Sequence, residues 1–316
     1  MKWLCLILSV IVLGCSGISQ NTFMAENGKL KVLSTTAMID DLVAEIGGEE
    51  IDHLSLIVGD LDPHSYELVK GDDEKFFRAD LIFFNGLGLE HGASLSEMLS
   101  KHDNAIGLGN VLYKIDPEAF LVIDHQLDPH FWMDIALFSK AIDPIVEGLA
   151  EKDPAHASLY RERGEILRKK MIETDQNLLE EIQRIPSEKR YLVSSHDAFN
   201  YFARKYLAFP EEKDWKERFM APEGLAPDGQ MSLRDIEEAV NFLCEHQIHV
   251  VFPETNINQD ALKKIVSICN EKGLHVRIAQ VPLYGDTMGA KGTGAETYLE
   301  MIEHNVHTLS DQLVRE

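Results

Sequence analysis

Three histidines and one aspartate have the types and positions expected of metal ligands. One Asp-Pro-His tripeptide ends at His64 and a second ends at His130, while His196 and Asp286 each follow a predicted strand. Three imidazoles and one carboxylate form a ligand set that suits zinc, manganese or iron. The four residues lie dozens of positions apart, so only the fold could bring them together. The sequence therefore predicts a divalent transition-metal site assembled by tertiary structure.

The repeated tripeptide has a physical use at such a site. Aspartate can cap a helix and proline fits the first helical position, so the histidine would project from a fixed backbone. A single copy is most simply an ordinary helix start. Two copies, together with His196 and Asp286, favour ligands instead. None of the four is a thiolate, which argues against a closed structural zinc site.

Two other histidines, His91 and His125, could line the same cleft. The simpler interpretation places them at the surface or behind the ligands. Phe131 and Trp132 follow His130, and we interpret them as packing that holds the ligand loop.

The elements that must position these residues alternate between predicted strands and helices, which implies parallel sheets covered by helices. We expect an α/β fold with two lobes, each with a mainly parallel sheet flanked by helices, joined by a long rigid backbone helix. The predicted first lobe covers residues 31–153, the connecting helix 154–185 and the second lobe 186–316. Ligands of parallel sheets bind beyond the carboxyl ends of the strands, so the cleft between the lobes is the expected site.

The individual elements follow from hydrophobic periodicity and from turn and cap residues. The predicted strands cover residues 31–34, 51–58, 81–84, 191–194, 249–252 and 275–281. The predicted helices cover residues 37–47, 72–79, 131–151, 154–185, 232–246, 258–271 and 297–314. For the segment 154–185, the alternative is two shorter helices with a break near Gly164.

The N-terminal residues are typical of an exported lipoprotein. Lys2 precedes an apolar run that is too short to span a bilayer but suits a secretory signal. Gly14 then precedes Cys15, the residue expected to carry lipid. We predict a signal peptide at 1–14, a lipid-anchored tether at 15–30, and attachment to the cell membrane facing the periplasm or exterior. The alternative is a plain signal peptide with an incidental cysteine.

Charge balance excludes one class of partner. The 316 residues include 53 acidic and 30 basic side chains, which gives a formal net charge of −23. Nucleic-acid binding needs a basic surface, so we expect no nucleic-acid partner. We expect a monomer.

Two further cysteines, Cys244 and Cys269, each lie in a predicted helix. In an oxidising compartment they could form a disulfide. The alternative is two buried free thiols, and the sequence leaves both open because it does not give the geometry of the pair.

Five stretches of the chain carry a family resemblance. They are Asp62-Pro63-His64-Ser65-Tyr66-Glu67, Asn85-Gly86-Leu87-Gly88-Leu89-Glu90, Asp128-Pro129-His130-Phe131-Trp132-Met133-Asp134, Ser195-His196-Asp197-Ala198-Phe199-Asn200-Tyr201-Phe202 and Gly285-Asp286. With the long connecting helix, they resemble the TroA-like family, the solute-binding lipoproteins of manganese, zinc and iron ABC importers. The likeness covers essentially the whole chain after the predicted signal.

The resemblance implies two α/β lobes on a rigid helix, with a metal ion at their interface. The implied ligands are His64, His130, His196 and Asp286. It also implies a binding protein rather than an enzyme, with an ABC importer permease as its partner. Bound metal would favour a closed form, and binding should weaken as histidines protonate near about pH 6.

The metal itself is less clearly indicated. In manganese-type relatives the third ligand is often glutamate, whereas here it is His196. Zinc-type relatives usually carry a His-rich acidic loop, and residues 103–128 contain only His125. The implied cargo is therefore a divalent ion of manganese, zinc or iron.

Two other functions remain as alternatives. An exported zinc hydrolase would need an open metal position and a general base, for which Glu254 or Asp197 could serve. Four protein ligands leave less room for a catalytic water, and the chain has no His-Glu-x-x-His motif. A surface adhesin lipoprotein would not require clustered ligands.

Overall fold

The computed structural model describes residues 20–209, 212–226 and 231–314. The predicted signal peptide and Cys15 lie outside these residues. The predicted tether extends to residue 30, but Phe23 is fully buried against the first lobe and the Lys31 ammonium donates to the Thr22 carbonyl. The packed part of the chain thus begins before the predicted tether ends.

A parallel sheet forms the centre of the first lobe. Its strands are β1 (Leu30–Ser34), β2 (Ile51–Ser55), β3 (Leu81–Phe84) and β4 (Ala105–Gly107), in the order β2-β1-β3-β4. Its helices are α1 (Ala37–Gly47), α2 (Asp72–Arg78), α3 (Ala93–Lys101) and α4 (Leu108–Ile115). A short antiparallel hairpin follows, made of β5 (Val122–Ile123) and β6 (Gln126–Leu127). Because every sheet strand runs in the same direction, their carboxyl ends meet at one edge, as the sequence predicts.

The predicted helix at 131–151 is broken into shorter pieces. A 3-10 turn (Phe131–Met133) is followed by α5 (Ile135–Phe138), another 3-10 turn (Ser139–Ala141) and α6 (Ile142–Lys152). The Asp134 carboxylate accepts a hydrogen bond from the Leu137 amide at 3.1 Å, which starts a new helix there. Pro144 lies in the first turn of α6, where its missing N–H costs little.

One uninterrupted helix, α7 (Ala157–Gln183), lies within the predicted connector. Its 27 residues span about 40 Å. Gly164 does not break it, contrary to the alternative of two helices. A Cβ at Gly164 would lie 2.8 Å from Val146 Cγ2, so this glycine allows α6 and α7 to pack closely.

Polar contacts attach α7 to both lobes. On the first lobe, Arg163 donates to the Gly47 carbonyl at 2.8 Å and Arg168 donates to the Ser139 carbonyl at 3.0 Å. On the second lobe, Asp175 accepts from the Tyr206 hydroxyl at 2.7 Å. These contacts at both halves of the helix restrict how far the lobes can move.

The second lobe repeats the parallel architecture with shorter strands. Its elements are β7 (Leu192–Val193), α8 (Asn200–Phe202) with a π-helical turn (Ala203–Leu207), β8 (Phe219–Met220), α9 (Leu233–His246), β9 (Val250–Val251), α10 (Asp260–Glu271), β10 (Arg277–Ile278) and α11 (Tyr298–Val314). Strand β7 pairs with β8, and β9 pairs with β10, both in parallel. The Phe252 amide donates to the Val193 carbonyl at 2.8 Å and so joins the two pairs in the order β8-β7-β9-β10.

The largest buried apolar cluster extends across both lobes. It includes residues of β1, α1, α7, the segment 131–138 and α11. Separate clusters cover the other face of each sheet. The lobes therefore share a core rather than folding as isolated units. Among the described residues, none of the helices is both long and apolar enough to cross a bilayer.

Candidate metal centre

The structure brings the four predicted ligands together. Within the described residues, His64, His130, His196 and Asp286 form the one group whose potential ligand atoms all lie within 4.8 Å of one another. All four side chains are buried, and the most exposed of them, Asp286, is 4% exposed. The group sits where the strand ends of the two lobes face each other.

Local turns fix the two ligands from the first lobe. The Asp62 carboxylate accepts from the His64 amide at 2.8 Å, and the Asp128 carboxylate accepts from the His130 amide at 2.9 Å. Each aspartate thus closes a turn on the histidine two residues later. Neither tripeptide starts an α-helix, because His64 lies in a turn and His130 precedes a 3-10 turn. The fixed backbone that the tripeptide was expected to supply comes from these turns instead.

Longer-range contacts fix the two ligands from the second lobe. His196 follows β7, and the amides of Ser195 and His196 donate to one oxygen of Glu254 at 3.0 and 2.9 Å. Asn305 on α11 holds the loop before Asp286, since it accepts from the Tyr284 amide at 2.9 Å and donates to the Tyr284 carbonyl at 2.8 Å.

The distances within the cluster suit ligands of one small cation. His64 Nε2 lies 3.2 Å from His130 Nε2. The Asp286 carboxylate lies 3.1 Å from His196 Nε2, 3.4 Å from His130 Nε2 and 3.6 Å from His64 Nε2. All three imidazoles therefore present Nε2 to a shared centre.

Buried carboxylates hold the opposite nitrogen of two of these imidazoles. His130 Nδ1 lies 2.7 Å from the Asp128 carboxylate, and His196 Nδ1 lies 2.6 Å from the second oxygen of Glu254. Such a partner fixes the ring orientation, leaves Nε2 free for metal and makes it a stronger electron donor.

Burial and mutual proximity set the protonation of the ligands. Burial lowers the pKa of His64 to about 3, so this imidazole is neutral across the physiological range. Burial alone would raise the pKa of Asp286, but the three imidazoles, led by His196, hold that pKa below its ordinary value. Burial opposes the charge on His196, but Glu254 and Asp286 outweigh it and raise its pKa well above the usual value. A metal ion at His196 would therefore displace a proton, whereas His64 offers a free electron pair.

Several atoms at the centre of the cluster have no hydrogen bond among the described residues. They are both carboxylate oxygens of Asp286 and Nε2 of His196, which make only ion-pair contacts. A cation at this centre would accept these lone pairs, so the donor set fits the metal that the sequence predicts.

Hydrogen bonds cross the cleft beside the ligands. The Trp132 indole N–H donates to the Gly285 carbonyl at 3.1 Å, one residue before Asp286. The Tyr298 hydroxyl donates to the Trp132 carbonyl at 2.6 Å, and the Tyr298 amide donates to the Asp41 carboxylate of α1 at 2.9 Å. Trp132 therefore does more than the packing that the sequence suggests, because it links the loops of His130 and Asp286.

Other predicted residues lie beside the cluster or outside it. The ring of His91 is 5.7 Å from that of His64, and its side chain is exposed. His125 lies in the turn of the β5–β6 hairpin and is not among the clustered residues. Cys244 and Cys269 are free thiols in the second lobe.

Sequence reasoning missed the supporting roles of Asp128 and Glu254. Asp128 is the first residue of the second tripeptide, where its type and position alone suggest a helix cap. Glu254 comes directly after a predicted strand and Pro253, a position that suggests a general base in a hydrolase but equally suits a support for a histidine. A strand-end carboxylate near strand-end histidines is the signal that could have identified it.

Comparisons with known proteins agree with this arrangement. The metal-binding protein YtgA of Chlamydia pneumoniae is 40% identical over 317 residues, which cover 99% of this chain and 94% of the relative. The manganese-binding lipoprotein MntA of Bacillus subtilis is 32% identical over 287 residues, 90% of each chain. The crystal structure of Fe(III)-bound YtgA from Chlamydia trachomatis superposes with a TM-score of 0.84 at 36% identity, covering 89% of this chain and 97% of that one.

The family resemblance seen in the sequence is thereby confirmed, as is the α/β fold. A family model described as ZnuA, the periplasmic component A of a zinc-uptake complex, matches residues 32–312. The chain therefore belongs to this family of metal-binding, extracytoplasmic components of ABC metal-uptake systems.

Proposed function

We propose that this chain captures a manganese, zinc or iron ion with His64, His130, His196 and Asp286 and delivers it to the permease of an ABC importer. One observation carries the proposal: four buried side chains from two lobes converge within 4.8 Å. Each lobe supplies two of them, so a bound ion ties the lobes together. Names of relatives that specify manganese, zinc or Fe(III) support this range of cargo.

The ligand set suits metals between the soft and the hard extremes. Imidazole suits zinc and iron, whereas carboxylate suits harder ions such as manganese. Glu254 increases the electron-donating power of His196 and would help the site to hold a more highly charged ion. Fe(III) therefore belongs in any test of this chain beside the three divalent ions.

The geometry favours binding over hydrolysis. The Glu254 carboxylate is occupied by two backbone amides and by His196. Asp197 accepts from the Asn200 amide group at 2.8 Å, and burial raises its pKa well above the usual value. Protein groups thus hold both carboxylates, which supports binding rather than the alternative of a zinc hydrolase.

We further propose that the chain acts outside the cytoplasm as a monomer attached to the membrane by lipid on Cys15. The periplasmic family description and the lipoprotein names of relatives support this location. Labelled palmitate should enter the expressed chain, and Cys15→Ser should abolish labelling while Cys269→Ser should not. Equal labelling of the Cys15→Ser chain would contradict the anchor.

Metal uptake by cells tests the transport proposal. Cells that lack this chain but retain the permease should take up radiolabelled manganese, zinc or iron more slowly, and the wild-type chain should restore uptake of at least one. The Asp286→Ala chain should not restore it, although an exposed control, Asp260→Ala, should. Restoration by Asp286→Ala equal to that of the wild type would contradict the assignment.

A further inference from the structure

Two thiols in the second lobe lie against each other on neighbouring helices. Cys269 in α10 is fully buried, and Cys244 in α9 is half-buried. The Cys244 side chain is a hydrogen-bond partner of the Cys269 thiol. The sequence leaves open whether this pair is close enough to react, and the fold packs both thiols into one apolar cluster of the second lobe.

The backbone around both thiols is well anchored. Each cysteine lies two residues before the end of its helix. The Gln247 side chain donates to the Cys244 carbonyl at 2.8 Å, and the Leu274 amide donates to the Cys269 carbonyl at 3.0 Å. Each contact closes the carboxyl end of its own helix beside the cysteine and so fixes the local backbone there.

The pair lies on the opposite side of the second sheet from the core shared by the lobes. Val251 of β9 packs in the apolar cluster that contains Cys269, whereas Val250 and Phe252 pack in the cluster shared with the first lobe. Successive side chains of a strand point to opposite faces of the sheet, so Val251 faces one apolar cluster while Val250 and Phe252 face the other. A chemical change at the thiols is thus separated from the metal ligands by the sheet.

We propose that Cys244 and Cys269 are an oxidation site that forms an intramolecular disulfide and so joins α9 to α10 in the exported protein. This inference does not rest on the proposed metal transport, because it concerns a different face of the second lobe.

The reaction needs a disulfide-bearing oxidant, such as an exported thiol oxidoreductase or oxidised glutathione. The Cys244 thiolate attacks one sulfur of the oxidant, which forms a mixed disulfide and releases the other sulfur as a thiolate. The Cys269 thiolate then attacks Sγ of Cys244, which forms the intramolecular bond and releases the second sulfur of the oxidant. Two electrons and two protons pass to the oxidant, which leaves as a dithiol or as two thiols.

The environments of the two thiols support this order of attack. Cys244 is partly accessible, so an oxidant can reach it. Burial, with a smaller effect from Cys244, raises the pKa of Cys269 to about 11. Cys269 is therefore a poor first nucleophile but is well placed to attack a mixed disulfide that it already touches.

Peptide mapping of the full chain tests the proposal. The chain, with its own leader, is exported in a bacterial host, its free thiols are blocked with N-ethylmaleimide, and it is cut with trypsin. Lys263 and Lys264 place the two cysteines on different peptides. We expect a linked pair of peptides, lighter than the sum of the reduced peptides by two hydrogen atoms, that separates on reduction. Cys5 and Cys15 do not interfere, because the assay reads each peptide by itself.

Two outcomes would overturn the proposal. One is recovery of both peptides as maleimide adducts after the folded chain has been incubated with oxidised glutathione. The other is a link from either cysteine to Cys15 or to a second chain. Cys244→Ser is the matched control and should leave Cys269 unlinked.

Thermal unfolding gives a second readout. The oxidised chain should melt on the order of 5 °C above the reduced chain, since a disulfide over a loop of this length limits the unfolded ensemble. The Cys244→Ser chain should show no such response to reductant. Metal affinity should be the same in both redox forms. If no disulfide forms, the metal-binding proposal still stands. If no metal binds, the disulfide proposal still stands.

Discussion

The two lobes orient their buried imidazoles in different ways. In the first lobe, Asp128 holds His130 Nδ1 at 2.7 Å from only two residues away. In the second lobe, Glu254 holds His196 Nδ1 at 2.6 Å from the end of a neighbouring strand. The first arrangement is a local turn, and the second exists only when β7 and β9 lie side by side.

The two carboxylates also differ in what else they hold. Glu254 accepts from the amides of Ser195 and His196 and so fixes the backbone as well as the ring. Asp128 accepts from the His130 amide at 2.9 Å and from the Asn200 side chain across the cleft at 3.1 Å. We infer that the second-lobe ligand depends more on its one carboxylate than the first-lobe ligand does, and the following changes test that difference.

Among the residues that support the ligands, replacing Glu254 should have the largest effect on metal affinity. Glu254→Gln keeps the shape but removes the negative charge that orients His196, so affinity should fall by about 100-fold. Competition with a coloured chelator measures the loss, and circular dichroism checks that the chain is folded. If Glu254→Gln lowered metal affinity less than Asp128→Asn does, the inference that the second-lobe ligand depends more on its carboxylate would be wrong.

The matching change in the first lobe should be milder. Asp128→Asn should lower affinity by about 10-fold, because the turn amide and the Asn200 contact still hold the segment. The same chelator assay applies. Equal losses in the two variants would show that the local turn contributes nothing to the orientation of His130.

Loss of the contact between the lobes should have a still smaller effect. Trp132→Phe keeps an aromatic ring but removes the N–H that donates to the Gly285 carbonyl. One hydrogen bond contributes about 1 kcal/mol, so affinity should fall by about 5-fold. Trp215→Phe, at a tryptophan in the 3-10 turn Trp215–Arg218 before β8, serves as control. An unchanged affinity for Trp132→Phe would show that the bond does not position Asp286.

Asp41 should affect stability rather than affinity. Burial raises its pKa to about 6, above the unfolded value of 3.8, so the folded chain binds this proton more tightly and loses stability as pH rises between those values. Asp41→Asn still accepts from the Tyr298 amide but carries no charge. It should stabilise the protein by about 1–3 kcal/mol at neutral pH and by much less at about pH 4.

Urea unfolding at the two pH values measures the Asp41 effect. Glu45→Gln on the same helix is the control and should give a smaller gain, since Glu45 only contributes to the repulsion at Asp41. A gain from Asp41→Asn that is the same at both pH values would contradict the assignment of the pH dependence to this carboxyl.

The sequence predicts which four side chains cluster better than it predicts the structure that supports them. Helix α1 matches the predicted range because its apolar period and terminal glycines are local signals. The prediction of one helix at 131–151 is wrong because Asp134 starts a new helix and the 3-10 turn Ser139–Ala141 precedes α6, all within a continuous apolar pattern. In the second lobe, the strands are shorter than predicted, because apolar runs continue beyond the residues that pair. Glu254 could not be assigned to His196, since their contact depends on the order of strands in the sheet.

The proposed ligand set is tested most directly by metal titration. The metal-stripped chain, without residues 1–19, is titrated with manganese, zinc and iron beside His64→Ala and Asp286→Ala, with His125→Ala as the control. We predict tight binding of a single ion by the wild type and the control, and its loss in both ligand variants. Equally tight binding by either ligand variant would contradict the account, because the ion would then lie elsewhere.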